Sequence, residues 1–180
     1  MSGFAAFLRG MNVGGHRISN SELQAHFEEL GFTEVHTFRA SGNVIFAGAP
    51  KPVTEVAAHI EKGLQSALGY EVPVFLRTAA EVGKIAAHRP FDKALVDASK
   101  GKLQVSMLST KPAAKARKAV LALASDQDRL AFGDRELHWL PSGGVLDSVL
   151  DLKLIGKLLG PMTMRTKGTV DQIAAKYFAD

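Results

Sequence analysis

Two short clusters carry the residue types from which a binding site is built. Arg9 stands at the head of a run that holds Gly10, Asn12, Gly14 and Gly15, and Ser41, Gly42 and Asn43 form a second cluster downstream. A cation at the mouth of a glycine-rich turn suits the capture of an anion. Glycine takes positive φ at little cost and lets backbone N–H groups close on a ligand. The bland reading is equally available for each feature alone. Glycines after a strand form tight turns, Ser-Gly-Asn makes a good hairpin turn, and Arg9 can serve as a strand-end partner for Glu22 or Glu28.

Other chemistries are absent from the pattern. The segment GMNVGGHR lacks the closing Gly-Lys-Ser/Thr of a P-loop and is not the GxGxxG of a dinucleotide site. His16, His26, His36, His59, His88 and His138 show neither an HExxH pattern nor compact metal-ligand spacing, so no metal and no cofactor is expected. Ser41 is not set in the GxSxG of a nucleophile elbow. Asp147 and Asp151 are spaced to share a helix face, which surface carboxylates do routinely. Lys111, Lys115 and Lys118 line up at helical spacing. Such a row is usually a solvated face, and its sharper reading is contact with nucleic-acid phosphates.

The whole chain bounds these options. Its 180 residues are 46% hydrophobic and 22% charged, which suits a globular protein with a real core. The net charge of +4 permits an anionic partner without demanding one. There is no cysteine, which removes disulfides, thiolate metal sites and cysteine nucleophiles and fits a reducing compartment. The first apolar run, from Phe4 to Leu8, is too short for a signal-peptide core or a membrane span, so a cytoplasmic protein is expected. The oligomeric state is not written in the sequence.

The elements that must position the two clusters follow from periodicity. Residues 4–8 read as a strand. Ser19 and Glu22 form a capping-box pattern, and Leu23, Phe27 and Leu30 repeat at helical spacing before Gly31. Residues 35–40 and 44–47 read as strands on either side of the Ser-Gly-Asn turn. Val56, Ile60, Leu64 and Leu68 mark a second helix stopped by Gly69, and residues 70–77 alternate as a strand. Thr78 and Glu81 repeat the capping pattern before a short helix with Val82 and Ile85. Residues 91–102 are polar and irregular, a linker. The order then recurs: a strand at 103–109, a helix opened by Pro112, a hairpin across Gly133 and Asp134, a helix over about 148–159, and a strand at 162–165. A last helix carries Val170, Ile173, Ala174, Tyr177 and Phe178.

Twice β-α-β-β-α-β predicts an α+β protein built from duplicated ferredoxin-like units with antiparallel sheets and a C-terminal helix. The expected division is a first unit at 1–77, a connecting helix and linker at 78–102, and a second unit with the C-terminal helix at 103–180. In such a unit the first two strands run the same way. The 9–15 loop, the 41–43 turn and the start of the first helix therefore share one edge, where the helix dipole and first-turn N–H groups favour an anion. Arg17 and Arg39 fall near the same edge.

LRGMNVGG at residues 8–15 and FRASGNVIF at 38–46 resemble the bacterial family called domain of unknown function 1697. Its members typically read LRGINVGG, then YIQSGNVVF, then a late TxRNWxTV. The late stretch here is TMRTKGTV, and PSGGVLDS at 141–148 resembles the family's proline-glycine-serine loop. The resemblance spans nearly the whole chain. It implies a duplicated ferredoxin-like fold and no particular activity. Ala40 stands where the family has glutamine, and Thr166 and Lys167 stand where it has asparagine and tryptophan. Matched to the pattern, the expected ligand-binding residues are Arg9, Asn12, Gly14, Gly15, Ser41, Gly42, Asn43, Arg165 and Thr169.

Three function classes follow. The first is a protein that binds a small anionic, for example phosphorylated, ligand. The second is an RNA-binding module, since ferredoxin-like sheets bind RNA through exposed aromatics and Phe4, Phe7, Phe38 and Phe46 fall on or beside strands. The third is an enzyme acting on a phosphorylated metabolite, with Arg9 and Arg165 stabilising developing negative charge. No residue offers itself as a general base, which ranks the enzyme behind the binding protein.

Overall fold

A computed structural model describes residues 3–12, 14–39 and 42–179. The chain forms two compact units, residues 1–83 with 173–180, and residues 84–172.

The first unit runs β1 (Phe4–Leu8), α1 (Asn20–Glu29), β2 (Thr33–Thr37), β3 (Asn43–Ala47), α2 (Val53–Leu68), β4 (Val74–Thr78). Its strands form an antiparallel sheet in the order β2-β3-β1-β4, the ferredoxin-like arrangement. Phe4, Ala6 and Leu8 of β1 face the helices and pack with Leu23 and Phe27 of α1 and Ile60 and Leu64 of α2. Ala5 and Phe7, on the opposite face, are buried as well. The helix ends obey local rules. Ser19 and Glu22 bond each other's backbone N–H groups in a capping box at the start of α1. Gly69 takes the left-handed conformation that closes α2.

The connecting helix α3 (Ala79–Ala87) follows, opened by the Thr78–Glu81 capping box. The stretch expected to be an irregular linker contains a short helix, α4 (Lys93–Ala98), joined within it by a Lys93–Asp97 ion pair. Its residues are exposed or half-exposed, so it carries no apolar stripe for periodicity to find.

The second unit repeats the order with β5 (Gln104–Leu108), α5 (Ala114–Leu121), β6 (Asp128–Phe132), β7 (Glu136–Pro141), α6 (Leu152–Leu159) and β8 (Met162–Thr166), its sheet running β6-β7-β5-β8. Leu108, Val120, Leu137, Trp139, Ile155 and Leu159 form its helix-side core. The last helix is α7 (Lys167–Tyr177). The terminal segment that includes Tyr177 and Phe178 belongs to the first unit, where Tyr177 stacks on His36 and meets Phe38 edge-on.

Two boundaries differ from expectation. The fourth strand starts at Val74, because the Gly69 cap and Pro73 leave residues 70–73 as a connection. The helix expected from about 148 begins at Leu152, with Asp151 capping it through the Leu154 N–H. Asp147 lies in a separate 3-10 turn at Val145–Asp147, so Asp147 and Asp151 share no helix face. No helix among the described residues is long and apolar enough to cross a membrane.

Candidate functional site

The connection after β1 is tethered on both sides. The N–H of Leu8 donates to the Gly42 carbonyl at 2.8 Å, and the N–H of Arg9 donates to the Pro73 carbonyl at 3.1 Å. Gly10, Gly14 and Gly15 adopt φ of +73°, +63° and +85°, with open space where a Cβ would lie. Asn12 accepts the Ile18 N–H through Oδ1 at 3.1 Å, so its side chain closes the loop on itself. Met11 turns inward into the first core, while Arg9, Arg17 and the glycines are exposed. His16 stacks on Tyr70 with ring centroids 3.9 Å apart.

The β2–β3 turn meets this loop. Gly42, at φ +71°, is wedged so that a Cβ would lie 3.0 Å from Met11 Cγ and 3.1 Å from Leu8 Cβ. Asn43 is buried and donates from Nδ2 to the Phe38 carbonyl at 3.0 Å, while its own carbonyl accepts the Phe38 N–H. It fixes the turn from inside. Arg39 takes φ +60°, a conformation uncommon for a residue with a Cβ, and its carbonyl accepts from Asn20 Nδ2 at 3.1 Å. That bond ties the turn to the first residue of α1. Ser41 and Ala40 lie outside the described residues.

Gly42 thus bonds the end of β1 and packs on Met11, Asn12 bonds Ile18 just before α1, and the Arg39 carbonyl bonds Asn20 of α1, with Arg9, Arg17 and Arg39 exposed around them. Arg9 makes no ion pair among the described residues, so the expected alternative of pairing with Glu22 or Glu28 does not occur. The helix end offers less than its dipole promised. The Glu22 carboxylate already occupies it, and hydrogen bonds from the Ser19 backbone and side chain lower its pKa. The exposed positive groups at this edge are the arginines beside the glycine loop.

Arg165 and Thr169 lie in the second unit. Arg165 is buried on β8 and donates from Nη1 to Thr163 Oγ1 at 2.8 Å and to the Met164 carbonyl at 2.9 Å. Burial lowers its pKa to about 10. Thr169 is buried at the start of α7, with its hydroxyl 2.9 Å from that of Thr166 and its N–H bonded to the same oxygen. The first unit has the same construction. Arg77 on β4 is buried and donates to the preceding Leu76 carbonyl, and Thr78 caps α3. The stretches Leu-Arg-Thr at 76–78 and Met-Arg-Thr at 164–166 are structural equivalents, each followed by an inward valine and isoleucine, Val82 with Ile85 and Val170 with Ile173.

The proline-glycine-serine loop is held by a buried carboxylate. Asp128 accepts from Trp139 Nε1 at 2.9 Å and Ser148 Oγ at 2.7 Å. The lysine row does not lie on one helix face. Lys111 precedes α5 and pairs with Asp134 at 3.0 Å, whose carboxyl it lowers. Phe4, Phe7 and Phe46 are core residues, not a stacking surface.

Sequence reading missed one polar cluster entirely. His138 on β7 is fully buried, and its Nε2 lies 3.2 Å from Nδ1 of His88, just past the end of α3. No spacing rule joins two histidines so far apart in sequence. Burial first, then His88 and Lys167, push the His138 pKa down to about 4. Lys167 is buried too, and donates to the Ala86 carbonyl at 2.9 Å and to Asp171 at 2.6 Å. Burial lowers its pKa, and Asp171 partly restores it. Among the described residues, no group of three or more His, Cys, Asp or Glu is placed to hold a metal ion.

Two sheets of the same order in one chain define a duplicated ferredoxin-like protein. Residues 1–138 match the family described as "Protein of unknown function (DUF1697)", and the chain belongs to that family. A conserved bacterial protein from Streptococcus pneumoniae has a similar structure, with a TM-score of 0.72 at 17% identity over 97% of each chain. No curated protein matches the chain.

Proposed function

We propose that this protein binds a small anionic ligand, phosphorylated compounds foremost, at the 9–15 loop and the 41–43 turn. Arg9 supplies charge, Gly10, Gly14 and Gly15 let the backbone approach, and Gly42 and Asn43 hold the loop in place. The supporting observation is an internal control that the duplication provides. The connection from β1 to α1 spans eleven residues, and its counterpart from β5 to α5 spans five. The β2–β3 turn likewise has five residues where the β6–β7 hairpin has three. The fold closes with the shorter connections. The extra length, the positive-φ glycines and the exposed arginines gather at one edge of the first unit, and loops longer than a fold requires are where binding resides. Arg165 and Thr169 stand where Arg77 and Glu81 stand in the first unit, which supports leaving them out of this loop site. The lack of cysteine supports a cytoplasmic setting.

The test is ligand-induced stabilisation with pyrophosphate, sugar phosphates and nucleotides. A ligand at about a hundred times its Kd stabilises the native state by about 2.7 kcal/mol. Arg9→Ala should remove that gain while changing stability by no more than about 0.5 kcal/mol, since the side chain is exposed. A ligand shift that survives Arg9→Ala, or no shift with any of these anions, would end the proposal.

A further inference from the structure

We propose that the His88–His138 hydrogen bond is an acid-released latch that holds the last turn of α3 to the second sheet. The argument is one of proton count. Two neutral imidazoles carry two N–H protons over four nitrogens, and one proton must lie between His88 Nδ1 and His138 Nε2 to make the 3.2 Å bond. His138 Nδ1 is buried with no hydrogen-bond partner. The neutral pair avoids an orphaned buried donor when His138 donates from Nε2 and His88 carries its proton on the outward Nε2. A third proton breaks this solution. It puts an N–H on buried His138 Nδ1, where no acceptor waits, or it places two N–H groups face to face and opens the bond. Leaving a buried donor unpaired carries its full desolvation cost.

The surroundings raise that cost. Lys167 of α7 and Arg89, just beyond α3, bring positive charge; Arg89 bonds the Ala86 and His88 carbonyls. Arg165 stands in the same cross-strand row as His138, with Val105 between them. The acidic groups offer little relief. Asp171 is engaged by Lys167, and Glu136 of the β6–β7 hairpin accepts from the Arg135 N–H. With the pair neutral, α3 is held at its end by His88 and by Lys167 on the Ala86 carbonyl. With the extra proton the imidazoles part and the His88 turn, whose N–H bonds Lys84 and Ile85, loses its side-chain anchor.

The test is hydrogen exchange of residues 84–88 in the full chain, expressed as protection factors to remove the intrinsic pH effect, with histidine NMR titration alongside. Protection of this turn should fall by at least about tenfold between pH 7 and 5, while that of β5 stays constant. His138→Gln keeps a donor for His88 and cannot take the proton, so it should remove the fall. If that variant does not fold, His88→Ala serves, because its position is half-exposed: with no side-chain bond to release, the turn should already show its low-pH protection at pH 7 and fall no further. Unchanged protection at pH 5, the same fall in the variant, or His138 titrating like a free imidazole would each overturn the latch.

Discussion

Substituting Gly42 by alanine tests whether the turn and the glycine loop depend on each other as the structure has them. Two costs add at this position. With φ at +71°, an L side chain meets its own backbone, which costs about 1–2 kcal/mol. The new Cβ also lies 3.0 Å from Met11 Cγ, 3.1 Å from Leu8 Cβ and 3.3 Å from the Leu8 carbonyl oxygen. That oxygen and the Cβ belong to a buried core strand and cannot swing away, so relief requires backbone movement, at about 1–3 kcal/mol for such overpacking. Lower entropy of the unfolded chain returns about 0.4–1 kcal/mol. The net expectation is a loss of about 1–5 kcal/mol, centred near 3 kcal/mol. Gly14→Ala is the matched control. Its φ is also positive, but nothing lies near its Cβ, so only the conformational cost remains, about 1 kcal/mol after the entropic return. Urea unfolding separates the two. With a slope near 2 kcal/mol per molar, Gly42→Ala should lower the midpoint by about 1–2 M and Gly14→Ala by about 0.5 M. Equal midpoints for the two variants, or a Gly42→Ala midpoint at the wild-type value, would refute the wedged turn.

Asn43→Ala should cost about 1 kcal/mol, since it removes the Nδ2–H from the half-buried Phe38 carbonyl; the same unfolding assay reads it. Stability should also fall on acidification through His138. Its folded-state pKa of about 4 lies below the 6.5 of the unfolded chain, so its contribution is complete above about pH 6.5 and is lost as pH falls through 4. The gap corresponds to about 3 kcal/mol, and a His138→Gln chain should show a flatter acid limb in unfolding measured from pH 7 to 4. A limb unchanged by that substitution would assign the acid sensitivity elsewhere.

Most of the architecture was legible because it rests on local periodicity. Leu23 with Phe27, Val56 with Ile60 and Leu64, and the Ser19–Glu22 box each declare a helix within one or two turns of sequence. The contact of the turn before Asn43 with the end of β1 and Met11 was expected from topology, because the first two strands of a ferredoxin-like unit run the same way and end at one edge. What escaped was of another kind. Glu22 filling the helix end follows from a capping box that the sequence did display, but its consequence for anion binding needed the carboxylate's position. The burial of Phe4, Phe7 and Phe46 could not be read from alternation, because both faces of β1 are covered. The His88–His138 pair arises from elements fifty positions apart, which no local pattern encodes.

The repeat within the chain shows which motif residues recur at equivalent places in both halves, a pattern already present in the sequence. Leu76-Arg77-Thr78 with Val82 and Ile85, and Met164-Arg165-Thr166 with Val170 and Ile173, share residue types at identical spacing. Each arginine is the penultimate residue of the last strand of its unit, with its guanidinium on the preceding carbonyl, and each threonine caps the helix that follows. A residue repeated at the equivalent place in both halves makes the same bonds in both, here to the preceding carbonyl and to the helix start. Arg9, Gly10, Asn12, Gly14 and Gly15 have no counterparts, because the second half crosses the same gap with Ser109, Thr110, Lys111, Pro112 and Ala113. Duplication therefore separates the motifs by recurrence: the arginine-threonine pair stands where each sheet hands over to its helix, and the glycine loop is present in the first half alone.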